Sequence, residues 1–337
     1  MKKNINAGII GCGLIGRKRA LNAGKFNIVS CCDKNKEVLK TFAHDFGLKE
    51  YKDYKSLIDS EEIHAIFVCT LHDSLYEIVE YAISKNIHVL VEKPAAKNLE
   101  QIIDLTEKAK NSKAIVRVGF NHRFHRAFRK LNEILEKGVI GDLMFLRSRY
   151  GHGGRLGYDK EWRSNPKLSG GGELMDQGPH IIDLSRMILG DFKEISGFAD
   201  TFFWKMKVDD NAFMILRTKK GQTAFLHVSC TEWKNTFSME VYGELGKVEI
   251  NGLGGSYGLE KITLYKMLPE MGPPMTESWE YPMQDDSWEY ENNEFFTDIA
   301  LKRPCNPGLD DALECHKIVD TIYKNSNFKN GEKIDNN

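Results

Sequence analysis

Along the first third of the chain, short apolar runs alternate with polar stretches of helical spacing. Ile5–Ile10 is apolar and too short for a helix core. A glycine cluster, a helix-like segment from Leu14 to Ala23 and a second apolar run, Ile28–Cys32, follow it. Lys34–Phe46 has helical spacing and is closed by Gly47, and Ser56–Ser60 is a short helical turn. Ala65–Thr70 (AIFVCT) is apolar throughout, as expected of a strand covered on both faces. Leu75–Ser84 reads as a helix, and His88–Glu92 as a strand that stops at Pro94. Leu99–Lys110 reads as a helix with Leu99, Ile102, Ile103 and Thr106 on one side, and Ile115–Phe120 as a strand. This alternation predicts an α/β domain with a six-stranded doubly wound parallel sheet. Ligands of such sheets sit beyond the strand C-termini, which here carry Gly11, Asp33, Thr70-Leu71-His72, Glu92-Lys93-Pro94 and Asn121.

From about Gly141 the grammar changes. Leu143–Tyr150, Ile195–Phe203, Ala212–Arg217, Thr223–Thr231, Phe237–Gly243, Lys247–Ile250 and Ile262–Tyr265 are strand-like, and short turns (KKGQ, GELG) make hairpins of some of them. They predict a second, α+β domain with a large, mostly antiparallel open sheet. In NAFMILR both alternating sets are apolar, so this strand needs cover on two faces: its own helices on one, a second subunit on the other. Glu277–Glu291 reads as a solvated connection. Asn293–Lys302 and Asp310–Tyr323 read as helices around RPCNPG. The expected organisation is a dinucleotide-binding domain over 1–121, a substrate-binding and oligomerisation domain over 122–325, and a frayed polar tail over 326–337. The helix 310–323 is a candidate to pack back on the first domain. There is no internal repeat and no low-complexity tract.

Composition narrows the class. Charged residues are 28% and apolar ones 41%, ordinary for a globular chain. A net charge of −1 calls for neither nucleic acid nor membrane lipid as a partner. No apolar run approaches the ~20 residues of a membrane span. The first apolar run ends in the glycine cluster, which makes it a strand and not a signal peptide. Cys12, Cys31, Cys32, Cys69, Cys230, Cys305 and Cys315 show no C-x-x-C spacing and read as reduced residues of a cytoplasmic protein. The histidines lack H-E-x-x-H or similar spacing, so no metal is expected. The pattern G-x-x-x-x-G-K-[ST] does not occur, which removes the P-loop enzymes.

The glycine cluster carries the first chemistry. Gly11, Gly13 and Gly16 form G-x-G-x-x-G between a strand and a helix. Gly11 makes the turn, Gly13 lets backbone N–H groups approach a pyrophosphate, and Gly16 lets the helix pack on the strand. Leu14 and Ile15 complete the candidate phosphate loop. Asp33 lies 17 residues past Gly16 and 22 past Gly11, close to the ~20-residue spacing at which an acid meets the adenosine ribose. The carboxylate favours NAD over NADP, while Lys34 and Lys36 just beyond it leave NADP open.

Hydride transfer from a hydroxyl-bearing carbon also needs a base and a group that stabilises charge on oxygen. Lys93, at a strand end and held extended by Pro94, is one candidate. Asp176 and His180, four apart in GGGELMDQGPHIIDL, are others, although Pro179 either kinks their helix or restarts it. Between these segments Tyr150–Arg163, YGHGGRLGYDKEWR, reads as a mobile binding loop whose aromatics suit sugar rings and whose arginines suit phosphate or carboxylate.

GIIGCGLIG, VEKP at 91–94, GFNHRF at 119–124, EWR at 161–163 and GGGELMDQGPHIIDL at 170–184 together resemble the glucose–fructose oxidoreductase / inositol dehydrogenase (Gfo/Idh/MocA) family. The resemblance covers nearly the whole chain. It implies a Rossmann domain followed by a C-terminal domain whose open sheet forms homodimers or homotetramers. It implies Lys93, Asp176 and His180 as the catalytic group, with His180 the proton acceptor. It further implies nicotinamide-side contacts from Thr70, Leu71, His72, Glu92, Lys93, Asn121, Trp162 and Arg163, and substrate contacts from Arg123, Tyr150, Asp176 and His180. The substrate class implied is a sugar, inositol, sugar phosphate or nucleotide sugar. Thr70-Leu71-His72 departs from the family's usual T-P-N, and Arg19 stands where a histidine is common. The expected activity is NAD(P)-dependent oxidoreduction of a sugar-like CH–OH group. A redox-neutral NAD-dependent glycosidase and a non-catalytic dinucleotide-binding regulator share these motifs.

Overall fold

Six parallel strands form the first sheet of the computed structural model, which describes residues 5–334. They are β1 (Asn6–Ile10), β2 (Asn27–Cys32), β3 (Lys49–Tyr51), β4 (Ala65–Val68), β5 (His88–Glu92) and β6 (Val116–Gly119), in the order β3-β2-β1-β4-β5-β6. Helices α1 (Leu14–Leu21), α2 (Lys36–Phe46), α3 (Tyr54–Ile58), α4 (His72–Ser84) and α5 (Leu99–Lys110) connect them. The order reverses between β1 and β4, the switch point at which such sheets take ligands. Local chemistry sets the boundaries. Asn35 caps α2 by accepting from the Glu37 and Val38 amides, and Gly47 ends it in the left-handed region at φ 65°. Asn98 caps α5 through the Gln101 amide. Helix α4 starts at His72, three residues before the expected start, because its first turn, His72-Asp73-Ser74, is polar and carries no apolar period. Strand β3 is a short edge strand with two exposed residues and one half-buried one, so it has no apolar signature.

The described residues fall into two compact units. One contains the chain up to Asn121 together with Trp288–His316; the other contains His122–Ser287 and the described residues from Lys317 on. In the first unit Phe295 belongs to the core cluster with Phe26, Phe67, Ile9 and Leu90. Its ring lies 5.4 Å from that of Phe26.

The second unit is built on an eight-stranded sheet. Its strands are β7 (Leu143–Gly151), β8 (Phe192–Asp200), β9 (Asn211–Thr218), β10 (Thr223–Ser229), β11 (Thr236–Gly243), β12 (Gly246–Asn251), β13 (Glu260–Lys266) and β14 (Met275–Tyr281). The order is β14-β13-β12-β11-β7-β10-β9-β8, with β7 and β10 parallel and every other pair antiparallel. Helices α6 (Arg126–Glu136), α7 (Pro166–Ser169), α8 (Glu173–Asp176) and α9 (Gly178–Leu189) belong to this unit, with α6 packed on β13 and α9 on β7 and β10. The inner face buries Leu146, Leu226, Met214 and Val241 completely. The other face leaves Phe145, Phe198, Ile215 and Phe225 exposed.

Several expectations are corrected. The stretch 277–291 is not a solvated connection: β14 ends at Tyr281, and a helix, Ser287–Leu301, begins soon after. Strand β14 is an edge strand exposed over most of its length, so its apolar alternation is weak. The strand expected to reach Phe203 ends at Asp200, because the Asp210 carboxylate takes the Phe202, Phe203 and Trp204 amides out of the ladder. The tail is not frayed through residue 334: Phe328–Lys329 pairs with Glu332–Lys333, and Phe328 is buried against the Tyr323 ring. Residues 335–337 lie outside the described residues. Among the described residues no helix is long and apolar enough to cross a membrane.

Candidate active site

The phosphate loop is shaped by backbone packing that leaves no room for side chains at two of its glycines. Gly11 has φ 95°, and a Cβ there would stand 2.7 Å from the Cys69 carbonyl. A Cβ on Gly16 would lie 2.1 Å from the Gly11 carbonyl oxygen, so α1 could not approach β1 as closely. Gly13 differs: nothing lies within 4 Å of its missing Cβ, so its pro-Cβ side opens on empty space at the helix N-terminus. Leu14 is exposed and Ile15 half-buried beside it. An open glycine at the start of a helix, with the dipole's positive end beneath it, fits a dinucleotide pyrophosphate. Asp33 stands at the end of β2. Its Oδ2 accepts the Cys12 amide at 2.7 Å, and its Oδ1 accepts the Asn35 amide at 2.8 Å. Each oxygen keeps a further lone pair for a ribose hydroxyl.

At the β4 end, Thr70 is half-buried, Leu71 is exposed and His72 is buried. Asn121 is buried at the start of a 3-10 turn after β6. Glu92 is held differently from what its motif suggested. Its Oε1 accepts from Arg19 Nε at 2.7 Å, and Arg19 Nη2 lies 2.6 Å from the same oxygen as an ion pair. Arg19 is wholly buried, with Glu291 2.6 Å away on its other side and the Trp288 ring 4.6 Å from its Cζ. Burial pushes the Glu291 carboxyl up to about 6, although Arg19 pulls it down. Arg19 therefore fixes the residue next to Lys93. No local pattern links Arg19 to Glu92 and Glu291, which lie far from it in sequence. Lys93 is half-buried at the end of β5, and the Pro94 carbonyl lies 2.9 Å from His316 Nε2.

In the second unit the helix breaks at Gln177. Helix α8 ends at Asp176, and α9 restarts with Pro179 in its first turn, where a missing N–H costs nothing. His180 is buried and stacks on His122, with ring centroids 3.7 Å apart and planes at 16°. The buried Tyr150 ring is edge-on to both, 5.3 Å from His122 and 6.0 Å from His180. Burial and the neighbouring Tyr257, Asp176 and Glu173 push the Tyr150 phenol well above its usual range, so it stays protonated as a donor. Asp176 accepts from Arg163 Nε at 2.9 Å, and the Arg163 guanidinium lies over the Trp162 ring at 4.6 Å. Tyr150 and His180 thus belong to one cluster, joined by His122, which sequence reasoning passed over, and the Asp176 carboxylate acts on the Tyr150 phenol electrostatically. Arg123 sits elsewhere in the packing: its fork closes on both oxygens of Asp183, at 2.7 and 2.5 Å, deep inside the unit. That geometry suits an anchor for the His122 turn better than a substrate contact.

The Tyr150–Arg163 segment is fastened and not loose, because Glu173, Asp176 and Glu161 supply anions for it. Tyr158 Oη donates to Glu173 Oε1 at 2.7 Å, and Arg155 pairs with Glu161.

Family comparison agrees with this architecture. Residues 5–120 match the model of an oxidoreductase family with an NAD-binding Rossmann fold, and residues 128–249 match the GFO/IDH/MocA C-terminal domain. The chain is 30% identical over 259 residues to myo-inositol 2-dehydrogenase of Thermotoga maritima, an alignment covering 74% of this chain and 73% of that protein. The chain belongs to the Gfo/Idh/MocA family. Another relative in the family, D-apiose dehydrogenase of Rhizobium rhizogenes, is 25% identical over 264 residues, covering 76% of this chain and 74% of the relative. Levoglucosan dehydrogenase in complex with NADH and levoglucosan shares the fold: TM-score 0.87, 21% identity, 96% of this chain and 97% of that chain. The first unit contains the family's NAD-binding Rossmann domain, and the protein is an NAD-dependent oxidoreductase.

Proposed function

We propose that the protein is a dehydrogenase of a sugar or cyclic polyol, with NAD as the redox partner. The observation that carries this is the cluster of His180, His122 and Tyr150, with the Asp176 carboxylate acting on Tyr150 electrostatically. A histidine, a carboxylate and a protonated phenol packed together suit proton removal from a hydroxyl. Bound NAD supplies the hydride acceptor. His180 Nδ1 is fully buried, so Nε2 is the atom that takes the hydroxyl proton. The parallel His122 ring holds the plane of His180. Asp176, turned by Arg163, favours the imidazolium that forms. Asp33 favours NAD over NADP, because a 2′-phosphate would meet a carboxylate. Inositol, levoglucosan and apiose, named in the relatives, set the first substrates to try.

We assign oligomerisation to the open face of the second sheet, where Phe198, Ile215 and Phe225 are exposed. A cytoplasmic location suits an enzyme that draws on the NAD pool and whose cysteines show no pairing pattern. The deciding experiment is a panel of inositols, free sugars, uronates, sugar phosphates and nucleotide sugars, with NAD and NADP in parallel, followed by NADH absorbance. Net NADH formation with a neutral sugar or inositol is the expected result. Turnover without net NADH would replace this reading with a redox-neutral glycosidase.

A further inference from the structure

Glu173 has no part in the reaction above, yet it is among the most buried charged groups of its unit, 1% exposed. It lies one turn before Asp176 on α8. Its Oε1 accepts the Tyr158 hydroxyl at 2.7 Å, and His152 Nε2 lies 3.4 Å from the same oxygen. Its Oε2 is buried with no hydrogen-bond partner. His152 Nδ1 accepts the Gly154 amide at 3.0 Å, which places the ring proton on Nε2, facing Glu173. Burial alone would lower the His152 pKa; the Glu173 carboxylate reverses this and raises it. Asp176, on the same turn, holds Arg163. Two carboxylates of one helical turn therefore grip the loop at its start, middle and end. The turn itself is fixed from behind, since Asp209 accepts the Gly172 amide at 3.0 Å and the Leu174 amide at 2.7 Å.

A carboxylate placed in a dry site with only part of its hydrogen-bonding capacity used costs stability. A purely structural anchor here could be an amide or an apolar contact. The charge is explained if it must hold donors of the loop in one arrangement. We propose that Glu173 is a positioning residue: through Tyr158 and His152 it fastens the 152–163 loop, so that Trp162 and Arg163 are presented correctly around Asp176. The inference rests on the sugar dehydrogenase reading for its kinetic consequence only.

The test uses Glu173→Gln, Tyr158→Phe and the double variant in the full chain. Three quantities are measured: KM and kcat for the best sugar of the panel, and the rate of tryptic cleavage after Arg155 and Lys160. Loss of a hydrogen bond to a buried charge corresponds to about a 10-fold effect or more. Each single variant should raise KM for the sugar by about that factor, with kcat falling much less. Loop cleavage should accelerate several-fold while cleavage elsewhere does not. The double variant should be little worse than either single one, because both break the same contact. Unchanged KM together with unchanged loop cleavage would overturn the proposal. If Glu173→Gln does not fold, Tyr158→Phe decides alone by the same criteria. If the wild type oxidises no sugar, the dehydrogenase reading fails, and the cleavage rates still decide whether Glu173 holds the loop.

Discussion

His122 and His180 stack face to face, 3.7 Å between ring centroids, although they come from a 3-10 turn and a helix far apart in sequence. The arrangement gives His180, the proposed proton acceptor, a fixed ring plane. His180→Ala should lower kcat about 100-fold or more while NADH affinity stays unchanged. His122→Ala should cost about 10-fold through a misplaced ring, and His122→Phe should recover most of that loss by restoring a stacking partner. Steady-state kinetics with both substrates saturating checks all three.

Gly13 and Gly16 should behave oppositely when changed to alanine. At Gly16 the new methyl meets the Gly11 carbonyl at 2.1 Å, so the Tm should fall by several degrees even without cofactor. At Gly13 nothing lies within 4 Å, so the Tm should hold while NADH affinity drops, because the methyl enters the space meant for the pyrophosphate. Thermal melts beside fluorescence titrations separate the two effects.

Asp33→Asn would set an amide N–H₂ against one of two backbone N–H groups, those of Cys12 and Asn35. NAD affinity should fall by about 10-fold or more, and preference over NADP should shrink as the negative charge is lost. Parallel titration with both dinucleotides measures the ratio.

Burial raises the Asp209 carboxyl to about 6 from an ordinary 3.8, against the pull of Tyr323 and the Leu174 and Gly172 amides. A raised folded-state pKa contributes stability that is full below pH 3.8 and lost as the pH rises through about 6. Asp209→Asn has no such proton to bind. The Tm of the wild type minus that of the variant should therefore grow, by about 2 °C or more, as the pH is lowered from roughly 7 to 5. A gap that stays constant or narrows would refute the assignment.

Ile215→Glu and Phe225→Glu place charges on the exposed face of the second sheet without touching its buried side. Each should shift the protein to a smaller species in light scattering, with secondary structure unchanged.

The parallel sheet was legible because its strands are buried on both faces and end at glycines, an acid and a proline that each have a mechanical reason. Edge strands β3 and β14 were not, since a strand with little to bury shows little apolar pattern. Helix α6 escaped notice although its buried Ala127, Phe128, Leu131 and Ile134 follow helical spacing. At the site, Asp176 and His180 stood out because a carboxylate and an imidazole four apart are chemically unusual on an apolar helix. His122, Arg19 and Glu173 did not, because their partners lie at positions that no local spacing reveals. Arg123 was expected at the substrate from the resemblance alone, and its fork closes on Asp183, a partner sixty residues away that no local spacing reveals.

The Tyr323 hydroxyl donates to Asp209 Oδ1 at 2.6 Å and also accepts the Gly172 amide at 3.1 Å. The helix Leu309–Asn325, which carries Tyr323, thereby clips the turn from which Asp176 projects. A truncation that removed Tyr323 would surface as impaired turnover before it surfaced as unfolding, so trimming the chain back past that helix is an operation on the proposed active centre.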